Sequence, residues 1–185
     1  MKLLDAVNAA LSYMGEHKIT RVEGSNHPTV DSIVSAINRQ RAALLSTGWW
    51  FNELHLTIPV ETDGRIQTPA RSLAIYGKST RVSMEGEHLF NLDTGSVYFT
   101  EPVDVRIVRD IDFEDLPEYA AQYSLYVATA EVYSAELGVD NVVSVLDGLA
   151  KDAIANLRQE NLRNRRYNPR RNAVRQSRYT WFRNR

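Results

Sequence analysis

The hydrophobic period of this chain changes twice, and the two changes set its layout. Up to Gly48, apolar residues recur at helical spacing. Leu3, Val7, Ala10, Leu11 and Met14 form one set, and Val30, Ile33, Val34, Ile37, Leu44 and Leu45 a second. Such spacing places apolar side chains on one face of a helix. It predicts a first helix stopping at Gly15 and a second that opens at Pro28 and ends near Gly48. From Trp49 the period shortens. Residues 49–60 are aromatic, β-branched and partly alternating, so Leu54, Leu56 and Ile58 are read as pointing one way and His55 and Thr57 the other. Turn sequences then separate short strand candidates at 65–68, 72–76, 80–84, 87–92, 97–101 and 103–109. Their close spacing predicts an antiparallel meander rather than βαβ units. Helical spacing resumes near Pro117 and runs through 116–137. Gly138 reads as a cap and Asp140 as the N-cap of a fourth helix, with Leu146, Leu149, Ala153 and Leu157 on its apolar face. The short link makes helices three and four an antiparallel hairpin.

The expected fold class is therefore α+β: a bundle of about four helices with an inserted antiparallel β-sheet and a basic C-terminal tail. The expected division is a discontinuous helical bundle from 1–48 and 113–163, a β insertion over 49–112, and a tail over 164–185. A chain of 185 residues suits one domain carrying such an insertion. It has no cysteine, which excludes disulfides, thiolate metal sites and thiol nucleophiles. Its apolar runs are too short to span a bilayer, so no membrane partner is expected. The opening stretch, interrupted by Asp5, Asn8 and Ser12, reads as an amphipathic helix and not as a signal peptide.

Charge is divided along the chain. All 23 acidic residues and 13 of the 22 Lys and Arg fall in residues 1–160, which gives that part a formal charge of −10. Residues 161–185 hold nine arginines and no acid, a charge of +9. Arg163, Arg165, Arg166, Arg170, Arg171, Arg175 and Arg178 interleave there with Tyr167, Tyr179, Trp181 and Phe182. Arginine with aromatics suits docking on an acidic protein surface. The same composition serves phosphate contact and base stacking on nucleic acid. Solvation alone accounts for the arginines but not for Trp181 and Phe182.

Catalytic motifs are weak. GKST at 77–80 lacks the glycine a phosphate loop needs, since Ser72 stands there, and a strand candidate follows it instead of a helix. His17, His27, His55 and His88 have no metal-ligand spacing. The densest acidic cluster is Asp110, Asp112, Glu114, Asp115 and Glu118. A carboxylate pair drawn from it could serve a glycan hydrolase. The simpler reading places these acids at the start of the third helix, where free N–H groups favour negative charge. Tyr119, Tyr123, Tyr126 and Tyr133 share one helical face, as a packed face with boundary hydroxyls would. No catalytic, cofactor or metal residue is assigned, and no cofactor is expected.

The junction STGWWFN, at 46–52, joins helix to sheet. Alternation there would put Trp49 and Phe51 in the core and leave Trp50 to meet a neighbouring chain.

Three stretches carry a resemblance. VNAALSYMGEHKITRVEG (7–24), INRQRAALLSTGWWFN (37–52) and VRIVRDIDFEDLPEYAAQYSLYVATAEVY (105–133) resemble, in this order, the tail tubular protein A family of short-tailed bacteriophages. Trp50 departs from the family pattern, which has a smaller residue there. The resemblance implies a non-enzymatic adaptor of the virion tail that forms a twelve-fold ring of itself. Its implied partners are the portal protein and the tail nozzle protein, and genomic DNA would pass its channel without sequence-specific binding. Before assembly it would reside in the host cytoplasm. The assembly candidates are Trp50 and the arginines and aromatics of the tail. A tail-associated glycan hydrolase is the alternative.

Overall fold

A computed structural model describes residues 1–24 and 27–165. In chain order these form α1 (Leu3–Tyr13), α2 (Pro28–Ser46), β1 (Glu53–Ile58), β2 (Ser72–Gly77), β3 (Val82–Glu85), β4 (His88–Asn91) and β5 (Val103–Arg109). A short 3-10 turn (Phe113–Asp115), α3 (Glu118–Glu136) and α4 (Asn141–Asn164) follow. The α+β class read from the sequence holds.

The helix ends follow local chemistry. Pro28 opens α2, where a missing N–H costs nothing. Asp140 caps α4 by accepting from the Val142 N–H at 2.7 Å. Gly138, at φ +90°, takes the left-handed turn between α3 and α4. The buried face of α3 is built from small residues, among them Ala120, Ala121, Ser124, Ala128 and Thr129. Small side chains let α2 and α4 both approach it. The two buried hydroxyls are satisfied within the helix, Ser124 on the Ala120 carbonyl and Thr129 on that of Leu125.

The β region departs from the expected meander. Its main sheet has the order β1-β5-β2, with β5 antiparallel to both neighbours. β3 and β4 form a separate hairpin. The stretches 65–68 and 97–101 are not strands. Gln67 makes one bridge to His88, and Phe99 donates to the Gly64 carbonyl at 2.8 Å. Ile66 and Phe99 are nonetheless buried, as single apolar anchors in irregular backbone.

Two apolar clusters result. One joins α1, α2, α3 and α4 with Trp49, Phe113 and Leu116. The other lies on one face of the main sheet and includes Val103, Val105 and Ile107 of β5, with Val82, Leu89 and Phe99. On the opposite face of β5, Val108 is buried beside Gly48. A Cβ at Gly48 would stand 3.3 Å from Val108 Cγ2, and the backbone there has φ +78°. Both facts favour glycine at this junction.

Leu54, Leu56 and Ile58 point one way, as the alternation suggests, opposite Ile107, Val105 and Val103, but Leu54 and Leu56 remain 41% and 37% exposed. β1 is an edge strand among the described residues, and it joins the second cluster only at its end, through Ile58.

Candidate assembly surfaces

The helix–sheet junction is held by a cluster of buried hydrogen bonds. Residues 49–52 form a turn, closed by the Asn52 N–H on the Trp49 carbonyl at 3.2 Å. Strand alternation therefore does not govern this stretch. Trp49 is core, 7% exposed, and its indole N–H donates to the Leu44 carbonyl at 2.8 Å. Phe51 is only half-buried. It meets the half-buried Trp50 edge to face, with ring centres 4.9 Å apart. Both pack against the helical cluster. The Trp50 N–H is held by the side chain of Asn161 on α4 at 3.1 Å.

Asn52, which the sequence reading left without a role, is the centre of the junction. Its amide donates to the carbonyls of Leu45 and Arg109 at 3.0 and 2.9 Å, and its Oδ1 accepts from the Trp49 N–H at 2.7 Å. One buried side chain thus ties the end of α2 to the end of β5. Beside it, the Glu53 carboxylate accepts from Arg106 of β5 at 2.9 Å and from Arg165 at the end of α4. Arg165 also donates to the Gly48 carbonyl at 3.2 Å. A residue read as an assembly candidate therefore anchors the last helix to the sheet within its own chain. Arg163 is exposed on the last turn of α4. Arg166, Arg170, Arg171, Arg175, Arg178, Trp181 and Phe182 lie outside the described residues.

The acidic cluster serves as a second joint, and not mainly as the N-terminus of α3. Arg71 binds both oxygens of Asp112, at 2.9 and 2.6 Å. These bonds, with the charges of Arg71 and Arg41, hold the Asp112 carboxyl below its ordinary range. Arg41 of α2 donates to the Ile111 carbonyl at 2.6 Å and lies 3.5 Å from Asp110. Glu114 accepts from the Leu3 N–H at 3.1 Å, so it serves the start of α1. Asp110 and Asp112 thus share Arg41, Asp112 is also clamped by Arg71, and Glu114 turns to the start of α1.

The former phosphate-loop candidate is a tight turn. A Cβ at Gly77 would fall 1.8 Å from the Thr80 carbonyl oxygen, which the backbone could not accept without moving. Among the described residues, no group of three or more His, Asp or Glu is placed to hold a metal ion. No helix of the described chain is long and apolar enough to cross a membrane.

Apolar side chains reach solvent at several places, Met84, Leu92 and Leu162 among them, and two places group more than one such residue. One is the α3–α4 turn, with Leu137, Val139 and Val145, of which Val139 is 82% exposed. The other is the β1 edge with Leu54 and Leu56. Charged side chains that lock helices to a sheet, with apolar ones left at a hairpin tip and a sheet edge, define a scaffold suited to assembly.

Comparison with known proteins agrees. The family described as Tail tubular protein matches residues 4–167. Tail tubular protein A of Klebsiella phage KP34 is 37% identical over 169 residues, covering 90% of this chain and 90% of that protein. The chain belongs to the tail tubular protein family, and is a structural component of a phage tail.

Proposed function

We propose that this chain is the adaptor subunit between portal and tail nozzle, assembling as a twelve-fold ring around the channel through which DNA is ejected. The observation that carries this is the family match over nearly all of the described body, residues 4–167. Two features support it. The joints at Asn52, Glu53 and Arg41 make helices and sheet one body able to transmit load. The exposed apolar residues at the α3–α4 turn offer contact for a neighbouring subunit, and a ring needs such head-to-tail contacts to close.

The charge division fits the same reading. An acidic body beside the channel would repel DNA phosphate and let the genome slide without sequence-specific binding. The arginine-rich tail then docks on an acidic surface of the portal protein, with Trp50 among the candidate contacts. The chain waits in the host cytoplasm until a portal templates the ring.

The test is solution mass with and without portal particles. Monomers alone, and about twelve copies bound per portal, are expected under closed-ring symmetry. Failure to bind portal at all would overturn the adaptor reading. Removing residues 166–185 while keeping Arg165 should weaken portal binding, and unchanged binding would remove the tail from the interface.

A further inference from the structure

Strand register arranges the face of the main sheet that lies away from the second cluster in rows. Glu53 and Val108 stand in the first, His55, Arg106 and Tyr76 in the second, and Thr57 and Asp104 in the third, where the Lys78 N–H donates to the Asp104 carbonyl at 2.9 Å. The first row sits under the helical body, with Val108 buried beside Gly48 and the Glu53 side chain 8% exposed. The second and third rows reach solvent and line a depression of about 450 Å³. Tyr76 is 47% exposed, and the Arg106 guanidinium stacks on its ring, 4.4 Å from the centre. Arg106 shares Glu53 with Arg165, so its charge is answered only in part. Lys78 adds an exposed cation, and Asp104 is the one carboxylate of these two rows. Tyrosine and arginine are the residue types enriched where protein contacts draw most of their energy.

A surface of the opposite character lies on the helices. Between α2 and α3, Asp31, Glu131 and Glu136 line a groove of about 420 Å³, with Arg39 as its one cation and the hydroxyls of Ser32 and Ser35 beside them. All three acidic residues are exposed. Arg39 and Gln40 hold Glu131, which leaves Asp31 and Glu136 as the carboxylates turned outward. From Asp31 to Ser46, the last residue of α2, the helix rises about 22 Å, and the sheet begins beyond that end. Groove and depression are therefore too far apart to meet within one chain, and among the described residues no ion pair joins them. Two copies can bring them together.

We propose that the sheet face around Tyr76, Arg106 and Lys78 of one copy docks on the Asp31–Glu131–Glu136 groove of the next copy. This rests on the reading that the chain assembles with itself as a ring. The two surfaces differ, so the contact runs head to tail, the kind that closes a ring when its rotation divides a full turn. Opposite charge sets which surfaces meet, since groove on groove or face on face would oppose like charges. The charges are exposed and screened by salt, so the contact is weak between free chains and forms where a portal holds copies side by side.

Counting full-length copies bound per portal particle, over a range of chain concentration, tests this. Lys78→Glu and Glu136→Lys each set like charges against one another, and each should raise the half-saturating concentration at least about tenfold. A chain carrying both changes restores opposite charges with the polarity reversed, and should fill the portal nearly as the parent does. Both positions are exposed, so thermal unfolding of all three variants should stay close to the parent's. Either single variant that fills the portal like the parent overturns the proposal and leaves the adaptor reading standing. A double variant no better than the single ones also overturns it, because face and groove would then meet other partners, such as the portal itself or the arginine-rich residues 166–185. A parent chain that does not bind portal overturns the adaptor reading and this contact with it.

Discussion

The side-chain amide of Asn52 reaches the Arg109 carbonyl at 2.9 Å, across 57 positions of sequence. With its bonds to Leu45 and Trp49, it makes one neutral side chain the hinge pin between α2 and the central strand. Asn52→Ala would take the side-chain partner from the Trp49 N–H and the Arg109 carbonyl, and leave the Leu45 carbonyl only its bond from the Gly48 N–H. Such groups cost more to strand than the bonds are worth when formed. The expected loss is about 2–4 kcal/mol of unfolding free energy. Urea unfolding followed by circular dichroism measures it. A loss under about 0.5 kcal/mol, the usual range for a surface change, would contradict the role given to Asn52.

Sequence periodicity revealed the helices well because their signals are local. Pro28, Gly138 and Asp140 mark their ends by backbone chemistry that needs no distant partner. The β region was harder. Ile66 and Phe99 have the apolar, turn-flanked look of strand residues, yet each is a lone anchor in irregular backbone. Strand order is also non-local, so nothing near Val103 signals that β5 lies between β1 and β2. The polar joints were hidden for the same reason. Arg41 meets Ile111 across 70 positions, and Glu114 meets Leu3 across 111. Composition marked the acids of 110–115 as unusual, but only the fold shows which arginines and N–H groups they serve.

The two tryptophans of the junction should separate experimentally. Trp49 is core and its indole N–H is bonded, so Trp49→Ala should cost about 3–5 kcal/mol. Trp50 is half-buried and keeps its Asn161 bond through the backbone, which alanine preserves. Trp50→Ala should therefore cost less, about 1–2 kcal/mol from lost packing on Phe51. Thermal unfolding of both variants gives the ranking. Under the adaptor reading, portal binding by the folded Trp50→Ala chain should fall by more than its stability loss accounts for. A Trp50→Ala chain less stable than Trp49→Ala would reverse the assignment.

Acid should destabilise the chain through its carboxylate joints. Hydrogen bonds from Arg71 lower the Asp112 carboxyl. The Tyr133 hydroxyl, with the Val142 N–H, lowers that of Asp140. Gln40, then Arg39, lowers that of Glu131. Each group binds its proton less readily folded than unfolded. Its contribution is complete above the unfolded value, about 4, and fades as pH falls through the lower folded value. Unfolding midpoints should thus drop between about pH 5 and pH 2. Asp112→Asn should flatten that drop, and added salt should shrink the difference because these groups face solvent. A variant with the parent's full acid dependence would show that the Arg71–Asp112 pair contributes nothing.

Glu53 and Arg165 provide the last prediction, because their contact fixes where the C-terminal segment leaves the body. Glu53 is nearly buried between two arginines, Arg106 and Arg165, which are 40% and 41% exposed. Glu53→Gln removes the charge both guanidiniums share. The expected cost is about 1–3 kcal/mol, below the 3–5 of a fully buried pair, because water screens the arginines. Arg165→Ala should cost less, since Arg106 still neutralises Glu53. The two changes together should cost less than their sum, because each breaks the same bond. Arg165→Ala should also loosen the last turn of α4, seen as faster exchange of the amides from Asn161 to Arg165, while Leu146 near the start of the helix keeps its protection. Additive costs with unchanged exchange at the helix end would mean that Arg165 does not anchor α4 to the sheet, and that the tail leaves the body from a different place.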